Sequence, residues 1–201
     1  VFDLGCGAGI DVLLAAREVG PGGKVVGIDF SSDMIEQARR AVVDAGLEGA
    51  DIQLIVGNIE ETGLSDDMAD AVISNCVINL CTDKAAIYRE SFRILKPGGR
   101  IAVSDILLSE HLAPDIEDTL HSNWSGCLGG AAMEDDYWSI IKSAGFTELS
   151  IVSRHVLSPD ELFVISCCPG EDFSNPPPPE MLSAAQGKAE SVKFRAQKPL
   201  V

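Results

Sequence analysis

Short apolar runs of strand type alternate with amphipathic stretches along most of this chain. The runs fall at 1–4, 24–29, 51–56, 69–74, 99–105, 148–154 and 161–167, and the spacing between them predicts helices over 9–19, 32–45, 83–95 and 133–144. Gly20, Gly46 and Gly145 stand just past helix ends, where a left-handed residue closes the last turn. Ser31 or Ser32 supplies the cap for the second helix. Lys96-Pro97-Gly98-Gly99 stops the third helix and turns into the next strand. Such alternation predicts an α/β fold with a doubly wound, mostly parallel, seven-stranded sheet. The last two runs are separated only by His155 to Asp160, with Pro159 among them, so an antiparallel hairpin is expected at one edge.

Two segments break the pattern. Residues 106–132 form an insertion after the fifth strand, rich in Gly, Ser and short apolar stretches. In a doubly wound sheet that place overlies the crevice at the carboxyl ends of the strands, so the segment is expected to be a substrate lid. After Cys168 come Pro169-Gly170 and then Asn175-Pro176-Pro177-Pro178-Pro179, which cannot build a packed core. Residues 1–168 therefore read as one domain and 169–201 as a partly disordered tail.

Composition narrows the partners. A chain of 201 residues supports a single core. Its net charge of −16 argues against a nucleic-acid substrate, because phosphate binding needs a basic surface. No run approaches the length of a membrane-spanning helix, no signal peptide is visible, and a cytoplasmic protein without a membrane partner is expected. Val1 already lies in a strand, so the sequence reads as a piece from which a preceding segment is missing.

The chemistry begins at the first strand. Gly5-Cys6-Gly7-Ala8-Gly9 lets the backbone turn sharply and approach a ligand, and the helix behind it presents unpaired N–H groups. The dinucleotide fingerprint G-x-G-x-x-G is not met, because Ile10 stands where its third glycine belongs. Asp29 ends the second strand, where an acid accepts ribose hydroxyls; the alternative is that it only helps start the next helix. Met34 either lays its thioether on an adenine face or packs in the core. Asn58 and Ile59, after the third strand, either contact adenine or simply form a turn. Ser74-Asn75-Cys76-Val77, after the fourth strand, lies where a reacting group is expected to point.

Six cysteines are present: Cys6, Cys76, Cys81, Cys127, Cys167 and Cys168. No C-x-x-C pair occurs, and His111, His121 and His155 match no metal spacing. Cys76 and Cys127 are far apart in sequence, yet both belong at the crevice mouth. Two thiols converging there suit a soft, thiophilic atom; the alternative for Cys76 is a small buried hydrophobe. Trp124 either closes the lid over the site or packs, and Glu60, Glu61, Asp66, Asp67 and Asp70 read as a solvated face.

The loop Asp3-x-Gly5-x-Gly7-x-Gly9 resembles motif I of the S-adenosylmethionine-dependent methyltransferases. Ser74-Asn75-Cys76-Val77-Ile78-Asn79-Leu80 and Gly126-Cys127-Leu128-Gly129-Gly130-Ala131 resemble the two cysteine elements of the arsenite methyltransferases, over residues 1 to about 168. The resemblance implies S-adenosylmethionine as donor, bound by Asp3, Gly5, Gly7, Gly9, Asp29, Met34, Asn58, Ile59 and Asn75. It implies trivalent arsenic, from arsenite or its thiol conjugates, held and methylated on the thiolates of Cys76 and Cys127. Thiol reductants such as thioredoxin or glutathione are implied for turnover. A further family cysteine lies upstream of the glycine loop; Cys6 is not its equivalent, and Cys81, Cys167 and Cys168 carry no implied role. The alternative functions are methylation of a small organic acceptor such as a quinone precursor, and binding of donor or arsenic without turnover.

Overall fold

A computed structural model describes residues 1–114, 116, 127–165 and 179–201. Its elements run β1 (Phe2–Leu4), α1 (Ile10–Val19), β2 (Lys24–Asp29), α2 (Ser32–Asp44), β3 (Asp51–Val56), β4 (Ala69–Asn75), a 3-10 turn (Ile78–Leu80), α3 (Lys84–Ile94) and β5 (Leu95–Leu108). They continue with β6 (Ala132–Met133), α4 (Glu134–Ser143), β7 (Thr147–Val156), α5 (Pro159–Ile165), α6 (Pro179–Ala185) and β8 (Ala189–Gln197).

The strands form one sheet in the order β3-β2-β1-β4-β5-β8-β7, with the short β6 pairing alongside the end of β5. The first five strands are parallel, and β8 runs antiparallel to both β5 and β7. β1 therefore sits between β2 and β4, and the chain leaves these neighbours in opposite directions. That is the switch point at which doubly wound sheets open a crevice. Strand and helix placement through β5 follows the apolar pattern, because the inner strands β1, β2, β4 and β5 are largely buried and read as apolar runs, while β3 is the half-exposed edge.

The C-terminal quarter departs from the sequence expectation in two ways. Residues 161–167 were expected as a strand, but Pro159–Ile165 is helical. Ser158 and Glu161 explain this: the Glu161 carboxylate accepts the Ser158 N–H at 2.8 Å, while Glu161 N–H reaches the Ser158 hydroxyl at 3.4 Å. This reciprocal capping, with Pro159 in the first turn, starts a helix rather than a hairpin.

The second departure concerns the tail. Residues 179–197 supply α6 and β8, so the expected disorder does not hold there; residues 169–178, with 166–168, lie outside the described residues. From Val192 onward β8 alternates, with Val192, Phe194 and Ala196 buried and Lys193 and Arg195 exposed. It is the antiparallel partner that β7 lacked, and it inserts between β7 and β5 instead of forming a hairpin with a sequence neighbour.

The core lies between the sheet and α3 and α4, which pack against β5 and each other. Its aromatic centre is a set of edge-to-face contacts among Tyr88, Tyr137, Trp138, Phe146 and Phe194, with Trp138 and Phe194 centroids 4.9 Å apart. A smaller cluster under the end of β5 joins Ile106, Leu108, Leu112, Leu128, Leu157 and Leu162. The segment expected as an insertion from residue 106 begins later, because Ile106–Leu108 continue β5 in pairing with β8; residues 115 and 117–126, including His121 and Trp124, lie outside the described residues.

Candidate active site

The glycine loop turns at the end of β1 and packs against its neighbours on both sides. Gly5 and Cys6 N–H groups both donate to the Ile28 carbonyl, at 2.8 and 3.0 Å. Gly5 has φ +69°, and a Cβ there would lie 2.3 Å from Val77 Cγ2 in the turn after β4. Only glycine permits that approach. Gly9, at φ +91°, opens α1 with no side-chain cap, which leaves the first N–H groups of the helix facing the crevice.

Asp29 holds this loop. Its Oδ2 accepts the Gly7 N–H and its Oδ1 accepts the Ser31 N–H, both at 2.9 Å. The carboxylate thus helps order the entry to α2, one of the two sequence readings, and also ties β2 to the glycine loop, which neither reading contained. Each oxygen retains a lone pair for a further donor. The cap of α2 itself is Ser31, whose hydroxyl accepts the Met34 N–H at 3.3 Å.

This end of the sheet gathers three carboxyl groups, Asp3, Asp11 and Asp29. Asp3 is 2% exposed, and its Oδ2 has no hydrogen-bond partner among the described residues. Burial pushes its carboxyl up to about 8, and the nearby Asp11 and Asp29 add to the rise. The buried acid is thus held in its protonated form near neutral pH, and a cation placed beside it would draw that proton off.

A cleft of about 300 Å³ opens beside the loop, bounded by Gly5, Phe30, Asn58, Ile59, Val77 and Leu80, with Cys81 also on its wall. Asn58 has both of its expected roles available: Oδ1 accepts the Glu60 N–H at 2.9 Å, which shapes the turn, and the residue lines the cleft. Ile59 is buried in the wall. Met34 is half-buried on α2 and is not among the residues lining this cleft. Phe30 is there instead, 80% exposed, an apolar ring open to any flat ligand. The sequence signal was available, since Phe30 directly follows the strand-terminal acid. Asn75 points elsewhere: its Nδ2 donates to Asp11 Oδ2 at 3.2 Å and it lines a separate groove with Ile73 and Ser104.

At the end of β4, Cys76 and Cys127 meet. Cys127 Sγ donates to the Cys76 carbonyl oxygen at 3.2 Å, across 51 residues of sequence. The Cys127 side chain also bonds the Cys76 thiol and holds it below the usual thiol range, against burial and the negative charge of Asp105, which push it up. Cys76 adopts φ +55°, a left-handed conformation unusual for a residue with a Cβ, and its N–H donates to the Ser104 carbonyl at 2.8 Å. Both side chains are half-buried and neither is in a disulfide.

The remaining described cysteines differ from this pair. Burial pushes Cys6 up to about 12 and Cys81 up to about 11, which leaves both as thiols. Cys167 and Cys168 lie outside the described residues. Among the described residues there is no cluster of three or more His, Cys, Asp or Glu side chains fit to hold a metal ion. No helix among them is long and apolar enough to cross a membrane.

Residues 1–145 match the family model described as a methyltransferase domain. The arsenite methyltransferase of Halobacterium salinarum is 38% identical over 157 residues, which is 77% of this chain and 39% of that protein. The arsenite methyltransferase of Homo sapiens is 33% identical over 165 residues, or 79% of this chain and 44% of that protein. The chain thus spans less than half the length of these relatives. Among solved structures, an arsenic (III) S-adenosylmethionine methyltransferase from Chlamydomonas reinhardtii superposes with a TM-score of 0.79 at 29% identity, covering 98% of this chain and 63% of that one.

Proposed function

This chain belongs to the methyltransferase domain family, and we propose that it transfers a methyl group from S-adenosylmethionine to trivalent arsenic held by the thiolates of Cys76 and Cys127. The contact between these two cysteines at the end of β4 is the observation that carries the reading. The arsenite specificity named for the relatives agrees with it.

The donor side is supported by charge and shape. S-adenosylmethionine is a cation at its sulfonium and α-amino groups, and its charge would draw the proton from the unpartnered Asp3 carboxyl, with Asp11 and Asp29 nearby. The glycine loop and the uncapped start of α1 would hold its amino-acid end, Asp29 would take the ribose hydroxyls, and Phe30, Asn58 and Ile59 would hold the adenine. When bound, this donor supplies an electrophilic methyl group.

The acceptor side asks for little proton chemistry. Cys76 and Cys127 bind arsenic as thiolates, and thiols bonded to one another release the first proton more readily. A thiolate-held arsenic(III) is pyramidal and keeps a lone pair, so no general base has to remove a proton from the attacking atom. The protein's contribution is position, which is worth up to about 7–11 kcal/mol of barrier when two reacting groups are well aligned. Thiol reductants such as glutathione or thioredoxin return the arsenic product to the trivalent state.

Titration of the chain with arsenite tests the reading. We expect one arsenite per chain, with binding lost in Cys76→Ser and Cys127→Ser, and methylated arsenicals on addition of donor and glutathione. Retention of arsenite binding by either variant transfers the assignment to a small organic acceptor.

A further inference from the structure

Under the thiol pair lies a set of buried polar side chains that methyl transfer itself does not use. Asp105, on β5, is fully buried. It accepts the Tyr137 hydroxyl at 2.8 Å and the Ile106 N–H at 3.0 Å. Tyr88, also fully buried, donates to the Tyr137 hydroxyl oxygen at 3.0 Å. A backbone hydrogen bond from Asn79 reaches the same carboxylate, and the Asn79 side chain donates to the Ile106 carbonyl at 2.6 Å.

These partners belong to the two separate arms that bring the cysteines together. Asn79 follows Cys76 by three residues, in the turn after β4. Tyr137 follows Cys127 on the other arm. That arm runs from the turn closed by Ala131 N–H on the Leu128 carbonyl, through β6 paired to Leu107 and Leu108, into α4. Asp105 is bonded to both arms and is itself fixed in the middle of the sheet between β4 and β8.

Burial alone does not account for a carboxylate at this point. An apolar side chain of similar size would fill the space without the desolvation cost. What a satisfied buried polar group adds is a fixed geometry among its partners. The Cys76 backbone, held at φ +55°, is the conformation that needs holding.

We propose that Asp105 is the positioning residue of the thiol pair: by gripping Asn79 on one arm and Tyr137 on the other, it sets Cys76 against Cys127 at the spacing a two-thiolate centre requires. This rests on the reading that the pair is the arsenic site, but the geometric claim can be measured without arsenic.

The effective concentration of the pair is read by equilibrating the chain in glutathione redox buffers and quantifying the Cys76–Cys127 disulfide by peptide mass mapping. Asp105→Asn removes the charge and one acceptor oxygen, and Tyr137→Phe keeps the ring packing while removing one donor. Each variant is expected to lower the effective concentration about tenfold or more relative to wild type. The melting temperature and circular dichroism of each sample establish that it is folded. A folded Tyr137→Phe or Asp105→Asn chain with the wild-type effective concentration overturns the proposal, even if its melting temperature falls. A wild-type pair that forms no disulfide in preference to mixed glutathione adducts overturns it too. Arsenite titration of the same samples separates the two claims: a wild-type chain with a well-positioned pair but no arsenite binding counts against the arsenic reading alone.

Discussion

The Gly7 N–H donates to Asp29 Oδ2 at 2.9 Å, joining the glycine loop to the end of β2 across 22 residues of sequence. The acid proposed to take the ribose hydroxyls is thereby also a strut of the glycine loop. Asp29→Ala should therefore weaken S-adenosylhomocysteine binding by at least the roughly 1–3 kcal/mol of a lost charge-assisted hydrogen bond. Asp29→Asn, with one acceptor oxygen for two N–H donors, should fall between alanine and wild type. Titration calorimetry giving equal affinities in all three chains would remove Asp29 from the site.

Asp3 gives the chain a pH-dependent stability. In the unfolded chain its carboxyl titrates near 3.8, and in the folded chain burial raises this to about 8. Between those values the unfolded chain has lost a proton that the folded chain keeps, so folding stability falls as pH rises from about 4 to about 8. Below pH 4 both forms are protonated and the contribution is fully restored. Asp105, pushed up to about 7 mainly by burial, acts in the same direction. Asp3→Asn should melt higher than wild type at pH 8, by about 1–3 kcal/mol of stability, and close to wild type at pH 4. The same substitution should weaken S-adenosylmethionine binding. Melting curves with an unchanged difference at the two pH values would contradict the assigned shift.

Phe30 is an apolar ring left 80% exposed on the cleft wall. Phe30→Ala should leave the melting temperature within a degree or two of wild type, since little buried area is lost. Donor affinity should drop by about 0.5–1.5 kcal/mol, the scale of one aromatic stacking contact. Equilibrium binding of S-adenosylhomocysteine to both chains decides this; undiminished affinity would place the adenine elsewhere.

The soft-ligand character of the thiol pair sets its metal preference. Arsenite and antimonite should bind and zinc only weakly, because two thiolates without histidine do not close a tetrahedral zinc site. Cys81→Ser should leave arsenite affinity near wild type, since burial pushes that thiol up to about 11 and it lines the cleft beside the glycine loop instead. Stoichiometric zinc surviving dialysis against a mild chelator, measured by elemental analysis, would be the contrary result.

The C-terminal segment is tested by removing it. A chain ending at residue 178 lacks β8, whose Val192, Phe194 and Ala196 are buried in the main core between β5 and β7. Losing three buried side chains, at about 1.5–3 kcal/mol for each large one, together with two ladders of strand pairing, is comparable with the roughly 5–15 kcal/mol by which a domain is stable. The shortened chain should show no cooperative melting transition; a wild-type melting curve would mean that β8 contributes nothing to the fold.

What the sequence determined by itself was everything carried by local pattern. The first five strands, the helices between them and the glycine loop could be read from residues close together in the chain, because parallel buried strands are apolar runs and helix ends have their own residues. The two cysteine elements could be found as well, through their flanking residues. Tertiary structure decided the pairings. Nothing local in Ala189–Gln197 says that it inserts between β5 and β7, and the proline run before it conceals an alternation that is plain once its partners are known. The helix at 159–165 is different: Ser158-Pro159-Asp160-Glu161 is a local capping signal that the apolar run after it outweighed in the sequence reading. The contact of Cys127 with Cys76, the grip of Asp29 on Gly7 and the hold of Asp105 on two arms all join residues at least 22 apart in sequence. Such contacts depend on how strands are ordered in the sheet, and that order is set by the burial of the whole chain together, not by any stretch of it alone.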